Sequence, residues 1–89
     1  MTEEYQGWSN RETWACNLWL TNEEGIYNEM MELTKRYPDK YELAVAIKDY
    51  VEELADIRAE SPGLLMMFDD IGSLWRVDWV EIAEGFCEG

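Results

Sequence analysis

Apolar side chains recur along this chain at helical rather than alternating spacing, and turn residues divide the pattern into four or five stretches. Residues 1–7 hold two glutamates and a glycine without periodicity, which predicts a loosely held arm. Structure should start near Trp8. Ser9 and Glu12 have the spacing of a capping box, in which hydroxyl and carboxylate each satisfy an unpaired backbone N–H. The helix after it should run to about Leu20, burying Trp14, Ala15, Leu18 and Trp19, with Arg11 on the same side stacking on an indole or pairing inward. Thr21 and Asn22 can cap a second helix, with Glu23 and Glu24 at its positive end and a stripe of Ile26, Met30, Leu33 and Tyr37 that Pro38 terminates.

Asp39 and Glu42 repeat the capping-box spacing, and the run to about Glu60 contains no Gly or Pro. Ser61-Pro62-Gly63 breaks the chain; beyond it Leu64, Phe68, Ile71 and Trp75 share a helical face that Leu65, Met66 and Met67 broaden, predicting a mostly buried helix. Asp78 with Glu81 forms a third capping box, and Val77 with Ile82 a hydrophobic staple, before a short helix ending near Gly85 or Phe86. The expected fold is all-α: one small domain, residues 1–89, of four or five packed helices.

Composition narrows the function. The chain has 89 residues, 20 Asp and Glu against 7 Lys and Arg, a net charge of −13 and no histidine, yet 47% of it is hydrophobic. That is an acidic globular protein, not a disordered acidic tail. Direct binding to nucleic acid is not expected, because phosphate affinity comes from Lys and Arg; a basic partner suits this field better. Without histidine the commonest general base and metal ligand are missing, so the chain reads as a non-enzyme without cofactor or metal. Asp69-Asp70 and Glu23-Glu24 lack the spacing of a calcium loop. Cys16 and Cys87 lie far apart and form no redox or zinc motif, which suits reduced thiols in a cytoplasm, and no segment reads as a membrane span or export signal. Four tryptophans, Trp14, Trp19, Trp75 and Trp79, are expected in the core. Trp8 is expected as a partly exposed anchor.

The functional clue is where the carboxylates fall. At about 100° per residue, Glu42, Asp49, Glu52, Glu53, Asp56 and Glu60 occupy about one third of the third helix's circumference, opposite Leu43, Ile47, Tyr50, Val51, Leu54 and Ile57. These six carboxylates span about 27 Å, or about one per 5 Å. Glu81, Glu84 and Glu88 fall on one side of the closing helix and could add a second row. Amphipathic helices turn charge outward in any case. A charge of −13, however, exceeds the magnitude of about 2 to 8 that keeps a small domain soluble.

The segments Asn10-Arg11-Glu12-Thr13-Trp14, Leu18-Trp19-Leu20 with Asn22-Glu23-Glu24-Gly25, and the closing Val77-Asp78-Trp79-Val80-Glu81-Ile82-Ala83 resemble an uncharacterised family of small proteins carried by viruses and plasmids. The resemblance covers about a third of the chain, implies a mobile-element origin and transfers no catalytic residue. Small acidic proteins of such elements are similar in general character to anti-CRISPR and anti-restriction inhibitors. The expected function is therefore inhibition of a host defence complex, a CRISPR effector before a restriction enzyme, with Glu42, Asp49, Glu52, Glu53, Asp56, Glu60, Glu81 and Glu84 entering its basic nucleic-acid channel. The alternative is an adaptor module that binds protein through an apolar patch around Trp8, Tyr5 and Tyr27.

Overall fold

The computed structural model describes residues 5–88, apart from the side chain of Glu88, and side-chain caps satisfy unpaired backbone groups at the start of most of its helices. Residues 1–4 of the expected arm lie outside the described residues. Tyr5 and Trp8 close a tight turn through reciprocal backbone hydrogen bonds of 2.7 and 2.8 Å, with Gln6 and Gly7 at φ 53° and 88°. Positive φ at both central residues is the signature of the turn whose twist suits two antiparallel strands. The Tyr5 ring rests 4.9 Å from that of Trp14, so this part of the arm is pinned to the first helix.

Helix α1 spans Arg11–Asn22 and is capped by Asn10, not by Ser9. The Asn10 amide performs two tasks that a hydroxyl at position 9 does not: its oxygen accepts from Thr13 N at 2.8 Å, and its nitrogen donates to the Arg76 carbonyl at 2.9 Å. The helix also outruns the expected stop at Leu20. Thr21 turns its hydroxyl back to the carbonyls of Asn17 and Leu18 instead of capping the next helix, and α2, Glu24–Arg36, starts from Glu23 with no side-chain cap. Arg11 pairs with Asp70 at 3.1 Å, and the Trp19 indole donates to the same carboxylate at 2.8 Å.

Helix α3, Lys40–Asp56, is capped as expected by Asp39, which accepts from Tyr41 N and Glu42 N. It stops short of Glu60. After Ile57 the chain tightens into a 3-10 turn, Arg58–Glu60, with Arg58 donating to the Ala55 carbonyl at 2.7 Å, and Pro62 then holds Ser61 in extended backbone, φ −139° and ψ 115°. Helix α4, Pro62–Ile71, has Pro62 in its first turn and Ser61 as cap.

Gly72, at φ 89°, ends α4 and removes Trp75 from the face it was expected to share with Phe68 and Ile71. Trp75 stands in a second 3-10 turn, Leu74–Arg76, and is 84% exposed; Met66 is 66% exposed and Leu65 is exposed as well. The expectation of a mostly buried α4 and a core Trp75 is thus corrected. Trp14, Trp19 and Trp79 do pack against the core, and so does Trp8.

Helix α5, Trp79–Glu88, closes an all-α fold with no strand among the described residues. Its cap divides the expected box between two partners. Asp78 accepts from Glu81 N at 3.1 Å, whereas Asp78 N donates to the Thr13 hydroxyl at 2.9 Å, and Thr13 is fully buried. Val77 and Ile82 are both buried, as a staple requires. Among the described residues, α5 makes its broadest contact with α3, and α1 touches α2, α4 and α5. Leu20, Met30, Leu43, Ile47, Val51, Met67, Ile71 and Ile82 fill the space between.

Cys16 is fully inside this core, where burial pushes its thiol up to about 12, while Cys87 is exposed. A thiol reagent should therefore modify Cys87 in the native protein and reach Cys16 only on unfolding, which mass spectrometry of the labelled protein measures. Thr13→Val keeps the shape but leaves Asp78 N without its acceptor; denaturant unfolding should show a loss of about 1–3 kcal/mol, with Thr13→Ser closer to wild type.

Candidate acidic interface

The rotation of α3 about its axis is set by what it buries. Leu43, Ala44, Ile47, Val51 and Ala55 face the core, and this leaves Glu42, Asp49, Glu52, Glu53 and Asp56 exposed on the opposite side. The structure brings these five together on one helix. Glu60 is exposed too, but it stands on the 3-10 turn beyond Ile57 and so leaves the helical row that a continuous α3 would have given it.

The chain's own cations are mostly engaged elsewhere. Arg11 is paired with Asp70, Lys35 with Glu32, Lys40 with Glu84 and Arg76 with Glu12, and Arg58 bonds a backbone carbonyl. On α3's acidic face only Glu52 is ion-paired among the described residues, to Lys48 at 3.5 Å. An exposed pair of this kind adds about 0.3–0.5 kcal/mol and leaves the other four carboxylates open to solvent. Negative field also reaches inward: the Tyr50 phenol is held above its ordinary range, first by burial and then by Glu29 and Glu53. Glu29, on α2, belongs to this field although sequence spacing did not link it to α3.

The second row is different. Glu84 is bound to Lys40 at 2.6 Å, and Glu81 accepts from the Ser9 backbone N–H at 3.1 Å, so both carboxylates have internal roles. The side chain of Glu88 lies outside the described residues. The acidic face of α3 is therefore the continuous one, and α5 places Glu84 at its N-terminal end beside Lys40.

Two apolar side chains interrupt the carboxylates. Tyr41 and Val45 are 61% and 60% exposed at i, i+4 spacing, and with Tyr37 and Ala46 they line a shallow groove bordered by Glu42 and Asp49. Helical projection placed the charges, but it assigned no use to these two residues. In the patch expected around Trp8, Tyr5 and Tyr27, Tyr5 leans on Trp14 and Tyr27 lies 6.5 Å from the Phe86 ring, both still exposed, while Trp8 is half-buried against the core and lines a groove with Tyr27 and Phe86. Among the described residues no three His, Cys, Asp or Glu side chains are grouped to hold a metal ion, and no helix is long and apolar enough to cross a membrane.

The chain belongs to a family of unknown function, DUF7249, whose model matches residues 1–84. Neither the curated proteins nor the solved structures contain a match.

Repulsion along α3 has a measurable consequence. Glu53→Lys places a cation between Asp49 and Asp56, four residues before it and three after, and should raise stability by a few tenths of a kcal/mol at low salt. Thermal unfolding in dilute buffer and again near 0.5 M salt checks this, with the gain shrinking as screening increases.

Proposed function

We propose that this DUF7249 protein is a mobile-element-encoded inhibitor of a host defence nuclease complex. It acts in the host cytoplasm without catalysing a reaction, and enters a basic nucleic-acid channel with the acidic face of α3. The observation that carries this reading is the exposed set Glu42, Asp49, Glu53 and Asp56, fixed on one helix with no ion-pair partner among the described residues while most of the chain's cations serve other contacts. A row tied up by the protein's own lysines and arginines would attract nothing.

The mechanism is competition for positive charge. A channel lined with Lys and Arg holds nucleic acid mainly through its phosphates, and a rigid row of carboxylates offers it the same sign of charge. The helix keeps the row in place, so little freedom is lost on docking. With a net charge of −13, association is steered over long range and weakens with ionic strength. A CRISPR effector is the first target class and a restriction enzyme the second.

The second reading, a non-catalytic adaptor module of a phage or plasmid, draws support from a different place than Trp8. Trp75 is the most exposed large apolar side chain among the described residues, and it follows Leu74, which shares a groove of about 390 Å³ with Leu65. A tryptophan so placed is a typical anchor for a protein partner.

One binding experiment separates the two. Purified protein should reduce DNA binding by a CRISPR effector in a gel-shift assay, less so at high salt. Asp49→Lys, Glu53→Lys and Asp56→Lys together should lower its apparent affinity about tenfold or more. Inhibition unaffected by the triple reversal rejects the acidic face; complex formation that survives high salt and is lost in Trp75→Ala favours the adaptor.

A further inference from the structure

The groove on α3 adds a requirement that charge alone does not explain. Its volume is about 530 Å³; its wall is Tyr37, Tyr41, Val45 and Ala46, and its acidic members are Glu42 and Asp49. Tyr41 and Val45, about 60% exposed and one helical turn apart, form a contiguous apolar strip beside Glu42 and Asp49. Imitation of phosphate alone gains nothing from them.

We propose that this groove receives an arginine-bearing segment of the basic partner protein, with a guanidinium lying on the Tyr41 ring and its N–H groups directed to Glu42 or Asp49. The inference rests on the acidic-face reading above and specifies the chemistry it selects. Apolar surface and carboxylates side by side match arginine better than lysine. The guanidinium is planar, weakly hydrated and able to stack on an aromatic ring while bonding a carboxylate through two N–H groups, whereas an ammonium is compact and strongly hydrated.

Exposure and size favour this occupant. Lys40 Nζ lies 5.4 Å from the Tyr41 centroid, but its charge is engaged by Glu84 at 2.6 Å, which offsets its competition for the ring. With the ring 61% exposed, surface remains for another cation. A groove of this size also accommodates the aliphatic stem of an arginine and its neighbours, with Val45 and Ala46 as the floor for methylenes. A second copy of the chain is a poor occupant, since it would bring another −13 charges to the same face.

The test compares two labelled peptides of alternating basic residue and alanine, one built with arginine and one with lysine, at equal length and charge. Fluorescence anisotropy should give tighter binding of the arginine peptide by about three- to fivefold. Tyr41→Ala should remove most of that preference, Tyr41→Phe should retain it, and Glu53→Gln with Asp56→Asn should weaken both peptides without changing their ratio. Far-UV circular dichroism verifies folding, and Val45→Ser makes the same test where Tyr41→Ala is not folded. Equal binding of the two peptides, no binding of either, or a preference unchanged in Tyr41→Ala and Val45→Ser overturns the inference. A Tyr41-dependent preference in a protein whose DNA competition ignores the triple charge reversal keeps the arginine groove and removes the channel-blocking role.

Discussion

The rest of the molecule depends on the way α3 is seated. Leu43, Ile47 and Val51 are fully buried, and α5 lies along this helix in the broadest helix contact among the described residues. Burying one such side chain stabilises by about 1.5–3 kcal/mol, whereas a like-charge pair at i, i+4 costs a few tenths. The packing term therefore decides the helix's rotation, and the carboxylates stay outward whatever their mutual repulsion. A single rotation fixes both the core and the acidic face.

Hydrogen bonds from the first helix hold that arrangement in place. Thr13 reaches the backbone at Asp78, Asn10 reaches the carbonyl of Arg76, and Ser9 donates to Glu81, so the start of α1 is joined to the segment that launches α5. Polar groups with these partners direct one docking of α5 where apolar contact alone would tolerate several. They also explain why Glu81 is a poor member of an external row: its carboxylate is committed to the neighbouring turn.

The α-helical class and the caps at Asp39 and Asp78 were legible because each is a local pattern, a polar side chain placed against the backbone N–H groups of the next turn. What was not legible depended on partners distant in sequence or on backbone geometry. Asn10 is itself a favoured cap, and its amide also reaches the Arg76 carbonyl 66 positions away, a contact that local spacing does not encode. The end of α3 at Asp56, before Glu60, is marked by no Gly or Pro: Arg58 folds back onto the Ala55 carbonyl and the chain tightens into a 3-10 turn. Gly72 then turned Trp75 outward despite its helical spacing from Phe68 and Ile71. The five carboxylates of α3 were found by projection, but the exposure of Tyr41 and Val45 was not. Whether an apolar position on a helix is covered depends on the shape of its neighbours, which period alone does not encode.

Charge density gives the exposed apolar residues a physical role. From Glu42 to Asp56 the five carboxylates span about 21 Å, about one per 5 Å of helix, whereas a nucleic-acid strand carries one charge per about 3.4 Å. A cationic groove spaced for phosphates would meet too few negative charges on α3 to favour it by electrostatics alone. In the proposed complex, Tyr41 at the N-terminal end of the row and Val45 within it would supply attraction that salt does not screen, Val45 in the interval between Glu42 and Asp49 where the charge is thinnest. The same exposed pair that weakens the likeness to a phosphate track thus suits the proposed protein partner, whose approach the carboxylates would steer and whose complex the apolar contact would hold.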